Sequence, residues 1–351
     1  MTESTNTSPD PEATAAALPP GFALVAGDPQ LGPFMAASLE QVEQRLREAI
    51  SNSDPFADAT SRHLVEAGGK RIRPLLALLA SQLGPDSEAD KVIQAAVVVE
   101  LTHLATLYHD DVMDSAPYRR GAPTAHEIWG NSVAVLTGDL IFARASSLVS
   151  ELGGAALGIQ ARTFERLCLG QLHETVGPAE GEDPLEHYLS VIADKTGSLI
   201  AASGQFGSLF SGADAEAVRI MVEYGEKVGV AFQLADDVID VTGMQEKSGK
   251  TPGTDLREGV PTLPVLLLRR NAAAGDTEAA RVLELVDGDL TSDEALAQAV
   301  AALRENPATR EAWDVAHRWS ADAVAALAPL PDSVVKAALE EFARAVVERD
   351  V

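Results

Sequence analysis

Leu39, Val42, Leu46 and Ile50 recur at three- and four-residue intervals with Glu and Arg between them, a spacing that predicts one apolar stripe along an α-helix. The same rhythm continues through most of the chain. Ala and Leu dominate, and the alternating apolar–polar runs of strands are missing. The pattern predicts helices near 35–52, 56–67, 70–84, 87–114, 127–152, 155–177, 184–211 and 213–245. Further helices are expected near 260–273, 276–287, 292–304, 307–328 and 332–349. Gly, Pro and charged residues gather at Ser81 to Glu88, Ser115 to Pro123, Gly177 to Pro184 and Gly243 to Pro261, which read as loops. Residues 1–33 carry Thr, Ser, Pro, Ala and Gly without periodicity and are expected to be a disordered tail. No compositional break divides 34–351, so one large all-α domain is expected there.

Composition narrows the function classes. With 27 Lys+Arg against 53 Asp+Glu, the net charge of −26 argues against a nucleic-acid partner, which calls for a basic footprint. No uninterrupted apolar run approaches the ~18 residues of a membrane span, so no transmembrane segment is expected. A basic stretch followed by an apolar one is missing from the N-terminus, so no secretory signal is expected. The single cysteine, Cys168, fits a reducing cytoplasm and, like Trp129, Trp313 and Trp319, reads as packing.

One motif occurs twice. DDVMD spans Asp110 to Asp114 and DDVID spans Asp236 to Asp240, each late in a long helical segment. In a helix Asp110 and Asp114 share one face, as do Asp236 and Asp240. Like charges at that spacing cost ~0.2–0.5 kcal/mol per pair, so cations are expected to offset them. Oxygen-only ligands suit Mg²⁺, which binds few carboxylates together with water and substrate phosphates. A solvated acidic helix end explains one such motif well and two poorly.

Cations lie close to these motifs. GGKRIRP at Gly68 to Pro74 places Lys70 and Arg73 on one face of a starting helix, a ready anion site. Arg119 and Arg120 follow the first acidic motif, where forked guanidinium groups can clamp phosphate. Lys195, Thr196 and Lys250 add further donors. Any one of these alone would be an ordinary surface ion pair. Together with the acidic motifs they suggest a polyphosphate held through Mg²⁺. His103, two turns before Asp110, falls on nearly the same face and suits a cavity. His109 faces elsewhere and suits structural hydrogen bonding.

GGKRIRP, ELTHLATLYHDDVMD, RRGAPTAH, the Lys195-Thr196 pair, AFQLADDVID, GKTPGTDLREG and PTLP occur in this order between Ala67 and Pro264. In these motifs the chain resembles the trans-isoprenyl diphosphate synthases, the polyprenyl synthetase family, and particularly actinobacterial long-chain members. The resemblance implies a single all-α bundle of the isoprenoid synthase type around a central cavity, acting as a homodimer. It implies a prenyltransferase that condenses isopentenyl diphosphate head-to-tail with an allylic prenyl diphosphate, using two to three Mg²⁺ ions. Lys70, Arg73, His103 and Arg120 would hold isopentenyl diphosphate. Arg119, Lys195, Thr196, Gln233 and Lys250 would support the allylic diphosphate. Asp110, Asp111 and Asp114, with Asp236, Asp237 and Asp240, would form the metal site. Lys195 and Gln233 would join Asp110, Asp114 and Asp236 in catalysis, the Gln233 amide oxygen stabilising the allylic cation. One departure is Gln171, where many relatives carry Glu.

The resemblance further implies a long product of about C35–C45, suited to a menaquinone side chain. Small residues at Ala105 and Thr106 would leave the chain-length pocket open, with Phe142, Leu148 and Val149 as candidates to close it deeper. The alternatives are a geranylgeranyl or farnesyl diphosphate synthase, a class I terpene cyclase and a non-catalytic prenyl-binding subunit. A cyclase would lack the Lys70, Arg73 and His103 set, and a non-catalytic subunit would lose the aspartates.

Overall fold

The helical rhythm of the sequence is realised almost throughout. The computed structural model of the chain describes residues 18–19, 21–85, 89–243 and 252–348. Apart from one two-stranded hairpin, every regular element among them is a helix, so the fold is all-α.

The chain forms two compact units, each gathered from separate stretches. Among the described residues, the first takes in those up to Glu165, then Leu199–Gly225 and Pro329–Glu341; the second takes in Arg166–Ser198, Glu226–Ala328 and the residues from Phe342. The sequence led us to expect one domain. Several cuts, at 165, 225 and 341, fall inside helices, where composition does not change, so no linker marks them.

The first unit opens with α1 (Ala23–Gly27), α2 (Leu31–Ile50), α3 (Pro55–Glu66) and α4 (Ile72–Ala80). The expected tail of 1–33 is therefore too long. Phe22 and Val25 are fully buried, and the Leu24 amide donates to Glu341 at 3.0 Å. These apolar residues are too few to show a helical period; a partner more than 300 positions away holds them. Asp54 starts α3 by accepting from the Phe56 and Ala57 amides, with Pro55 in the tolerated first position.

α5 (Ala89–Met113) is the central helix of this unit, with buried residues on every side from Val92 to Asp111. It packs most extensively against α7 (Asn131–Glu151), which follows the hairpin β1 (Tyr118–Arg119), β2 (Ala122–Pro123) and the short α6 (Ala125–Trp129). In windows that tolerate two charges, α5 and α7 are long and apolar enough to cross a membrane by length and composition alone. The window in α5 is 78% buried, as befits a core helix, whereas that in α7 is 33% buried. α8 (Gly154–Val176) and α11 (Ala215–Thr242) have residues in both units, and most of α10 (Ser198–Phe210) belongs to the first. Gly207 lets α10 touch α4, since a Cβ there would lie 2.0 Å from the Ala77 carbonyl oxygen.

The second unit contains α9 (Pro184–Ile192), a π-helical turn at Ala193–Gly197, α12 (Thr254–Glu258), α13 (Leu263–Ala273), α14 (Thr277–Val286), α15 (Asp293–Glu305) and α16 (Pro307–Ala326). The last helix, α17 (Val334–Ala345), again has residues in both units. α13 buries Leu263 through Leu268 and packs on α14 and α16. Asp276, Ser292 and Asn306 cap the helices that follow them.

Tyr108 ties α5 to α3: its hydroxyl donates to the Thr60 carbonyl at 2.6 Å and accepts from the Leu64 amide at 3.2 Å. Tyr108→Phe leaves those buried backbone groups without the hydroxyl and should destabilise the protein by about 1–3 kcal/mol. Chemical denaturation should show the midpoint falling with an unchanged slope.

Candidate active site

In the first unit the cations are set by an unusual stretch of backbone. Gly68 and Gly69 have φ of +83° and +151°, and Arg71, at the head of α4, is left-handed with φ of 50°. That conformation suits few side chains, and burial pins it. The Arg71 guanidinium donates to Glu100 at 2.9 Å and to the Val65 carbonyl at 3.2 Å, and also pairs with Glu43. Arg71 went unnoticed in the sequence because its two carboxylate partners lie far away along the chain. With Arg71 turned inwards, Lys70 is exposed and Arg73 is half-buried. The Arg73 Nε is buried without a hydrogen-bond partner. Burial lowers its guanidinium to about 10; Glu100 opposes that shift and Arg120 adds to it. His103, on α5, is held well below 6.5 by burial and then by the charges of Arg73, Arg120, Arg119 and Arg71. Burial and the surrounding cations both favour its neutral form.

The hairpin separates two adjacent arginines. Arg120 and Gly121 have φ of 54° and 79°, the signature of a two-residue type I′ turn. Arg119, on β1, donates from Nε to Asp111. Arg120, in the turn, donates to the carbonyls of Leu64 at 3.2 Å and of Gly68. Gly69 makes room for it, because a Cβ there would lie 2.9 Å from the Arg120 guanidinium.

The first acidic motif ends α5. Asp110 is half-buried, Asp111 fully buried and Asp114 exposed. The Asp114 amide still donates to the Asp110 carbonyl at 2.8 Å, so the two keep their one-turn spacing. Burial raises the Asp111 carboxyl and the Arg119 charge opposes the rise. Its Oδ1 accepts from Arg119, and its Oδ2 is buried without a partner.

The second unit holds the other set. The π turn carries Lys195, paired with Glu174, and Thr196, whose hydroxyl donates to the Gln233 Oε1 at 3.3 Å. Arg166 grips the turn through Asp194 at 2.7 Å and the Ala193 carbonyl at 3.2 Å, and reaches Glu226 on α11. In the second acidic motif Asp236 and Asp240 are half-buried and Asp237 is buried. Asp237 accepts from Tyr188, from the Leu263 amide at 3.3 Å and from the Gln233 amide at 3.2 Å. Burial, with Asp255 nearby, pushes its carboxyl up to about 7 against those hydrogen bonds. Asp240 receives the start of α12, its carbonyl taking the Gly253 amide at 2.8 Å and its carboxylate the Asp255 amide at 3.2 Å. Lys250 lies outside the described residues. Tyr188 was missed in the sequence; its seven-residue spacing from Lys195 was the only local hint.

Other positions sort by environment. Ala105 is buried where α5 meets α7: its carbonyl oxygen and the His109 ring lie against Gly138. Thr106 is half-buried, and its hydroxyl donates to the His103 carbonyl at 2.8 Å. Phe142 stacks on Phe164 with centroids 3.7 Å apart, Leu148 is half-buried and Val149 buried. His109 bonds the Val135 carbonyl at 3.2 Å, a structural role. The Gln171 Oε1 is buried without a partner. Cys168, expected in the packing, is exposed, because it falls on the outer side of α8 next to buried Leu167.

Among the described residues no three His, Cys, Asp or Glu side chains converge into a ready-made metal cage. The aspartates offer oxygen donors only, which fits a hard divalent cation whose shell phosphate and water complete. A family profile described as Polyprenyl synthetase matches residues 54–303. Nonaprenyl diphosphate synthase of Mycobacterium tuberculosis is 44% identical over 92% of this chain and 96% of its own. The crystal structure of geranylgeranyl pyrophosphate synthase from Corynebacterium glutamicum, complexed with calcium and isoprenyl diphosphate, superposes with a TM-score of 0.82. It is 44% identical, covering 92% of this chain and 98% of that one. Heptaprenyl diphosphate synthase from Staphylococcus aureus superposes with a TM-score of 0.80 at 31% identity, covering 90% and 99%. With the matched region spanning both acidic motifs and the cationic residues around them, the chain belongs to the polyprenyl synthetase family and is a prenyltransferase.

Proposed function

We propose that the protein condenses isopentenyl diphosphate with an allylic diphosphate, repeatedly, to give a long all-trans polyprenyl diphosphate of about C35–C45 for a quinone side chain such as that of menaquinone. The observation that carries this reading is the buried, unpartnered Arg73 Nε close to His103 in a field of arginines. Arg71 is neutralised by Glu43 and Glu100, but the buried Arg73 Nε has no such acceptor; it calls for an anion, and a diphosphate supplies one.

Lys70, Arg73, His103 and Arg120 bind isopentenyl diphosphate and fix its double bond. Arg119, Lys195, Thr196 and Lys250 hold the allylic diphosphate; for Lys195 this requires exchanging Glu174 for a phosphate oxygen. Asp110, Asp114 and Asp236 are the residues that would hold magnesium, two to three ions, which when bound neutralises charge on the departing diphosphate. Asp111, Asp237 and Asp240, assigned to the metal from the sequence, have hydrogen bonds to Arg119, to Tyr188 and Gln233, and to α12, and we assign them to support. The Gln233 amide oxygen faces the allylic cation and lowers its energy without reacting with it. Water would quench the cation, so the reaction requires that it be kept out. The double bond then attacks, and a proton leaves to the released diphosphate. Holding both substrates in register supplies much of the acceleration.

A homodimer in the cytoplasm completes the reading. Support comes from the exposed Ile128, Val135 and Leu136 on α6 and α7, an apolar face that a second copy would cover.

Three measurements test this reading. With Mg²⁺, radiolabelled isopentenyl diphosphate and an allylic primer, chains should extend; Asp110→Ala and Asp236→Ala should each lower turnover at least about a hundredfold with helicity retained. Extension by no primer would reject the reaction class. Arg73→Ala should raise the KM for isopentenyl diphosphate about 10- to 100-fold, the worth of one charge-assisted hydrogen bond. A loss confined to the allylic substrate would reverse the site assignment. For product length, Thr106→Phe is the sharper substitution, because Ala105→Phe overpacks the α5–α7 contact at a cost of about 1–3 kcal/mol. Thr106→Phe should shorten the product to C15–C20, and an unchanged length distribution would place the limit elsewhere. A wild-type product of C20 would favour the geranylgeranyl alternative.

A further inference from the structure

Asp237 is the second carboxylate of its motif, yet its oxygens are already occupied by protein. Oδ2 accepts from the Tyr188 hydroxyl and from the Leu263 amide at 3.3 Å, and Oδ1 accepts from the Gln233 side chain at 3.2 Å. The residue is 4% exposed, so little water competes. Leu263 contributes a backbone N–H, which can only donate, so Oδ2 must be an acceptor, and Oδ1 accepts from the Gln233 NH₂.

The two ends of an amide are alike in shape and opposite in polarity, so its neighbours decide which way it faces. With Asp237 accepting, the NH₂ of Gln233 turns towards it and Oε1 turns to the Thr196 hydroxyl, 3.3 Å away. Thr196 cannot choose the orientation itself, because a hydroxyl donates or accepts equally well. The choice rests with Asp237. Asp237 in turn is fixed by one backbone group at the head of α13 and one side chain, Tyr188 on α9.

We propose that Tyr188 is a positioning residue for the condensation: acting through Asp237, it fixes the Gln233 amide with its oxygen rather than its NH₂ turned to the allylic cation. This rests on the role given to Gln233 above. A flipped amide would present positive hydrogens to a positive carbon. Asp237 is then the anchor of an uncharged dipole, and the metal-holding work falls to its neighbour Asp236.

The test is a double-mutant cycle on the full-length enzyme with Mg²⁺, an allylic primer and isopentenyl diphosphate. Tyr188→Phe keeps the ring and removes the hydroxyl. It should lower kcat about tenfold, a fraction of the full loss on deleting a preorganised dipole, with the KM for isopentenyl diphosphate unchanged. In a Gln233→Leu background, where no amide remains to be oriented, Tyr188→Phe should cause no further loss. If Tyr188→Phe does not fold, Asp237→Asn carries the same cycle, since the Leu263 N–H keeps the asparagine oxygen and its NH₂ then faces Gln233, favouring the flipped amide. An unchanged kcat, or equal losses with and without Gln233, would make Tyr188 a packing residue only and overturn the proposal. A wild-type protein that extends no primer would overturn the proposed reaction and this inference together, whereas normal extension with an additive cycle would overturn this inference alone.

Discussion

Carboxylates crowded onto the C-terminal ends of two long helices are the constraint from which the remaining chemistry follows. Asp110 and Asp114 close α5, and Asp236 and Asp240 lie in the last turns of α11. A helix C-terminus already carries about half a negative charge, so each motif adds like charge where it is least welcome. Such an arrangement persists only where cations offset it. The arginines, the lysines and the oxygen-only donor set all make sense as answers to that excess.

Within each motif the burden is divided. The middle aspartates, Asp111 and Asp237, are buried and receive protein donors, while their neighbours remain more accessible. The arginines divide in the same manner. Arg71 turns inwards to Glu100 and Glu43, while its neighbour Lys70 in the same loop stays exposed. Arg119 and Arg120, adjacent in sequence, diverge because Arg119 ends a strand while Arg120, with Gly121, forms the left-handed turn. Fixed, buried support for a few accessible charges is what preorganisation requires.

Much of this was legible in the sequence. Helix existence followed from the 3.6-residue rhythm, and the paired aspartates and the cations near them stood out by spacing and by their order along the chain. What stayed hidden depends on distant partners. Phe22 and Val25 show no period, and their burial comes from the folded unit around them. Arg71 resembles any surface cation until Glu43 and Glu100 are brought to it. Tyr188 reads as an ordinary aromatic until Asp237, 49 positions away, meets its hydroxyl. Cys168 has apolar neighbours in sequence, but its helical phase turns it outwards. Local pattern reports which face of an element is apolar; it does not report which polar group will be found opposite.

The π turn at Ala193–Gly197 has a consequence for how this protein can change. An α-helix rotates about 100° per residue, so one extra residue in a single turn offsets the phase of everything beyond it. α9 and α10 thus keep their own packing while the residues between them take an orientation that neither helix would impose. Lys195 and Thr196 sit on that offset. Insertion or loss of one residue there would re-aim them and leave the flanking helices in place. The turn is a phase adjuster, and through it the direction of the Lys195 and Thr196 side chains can be tuned in evolution with little disturbance to the helical framework.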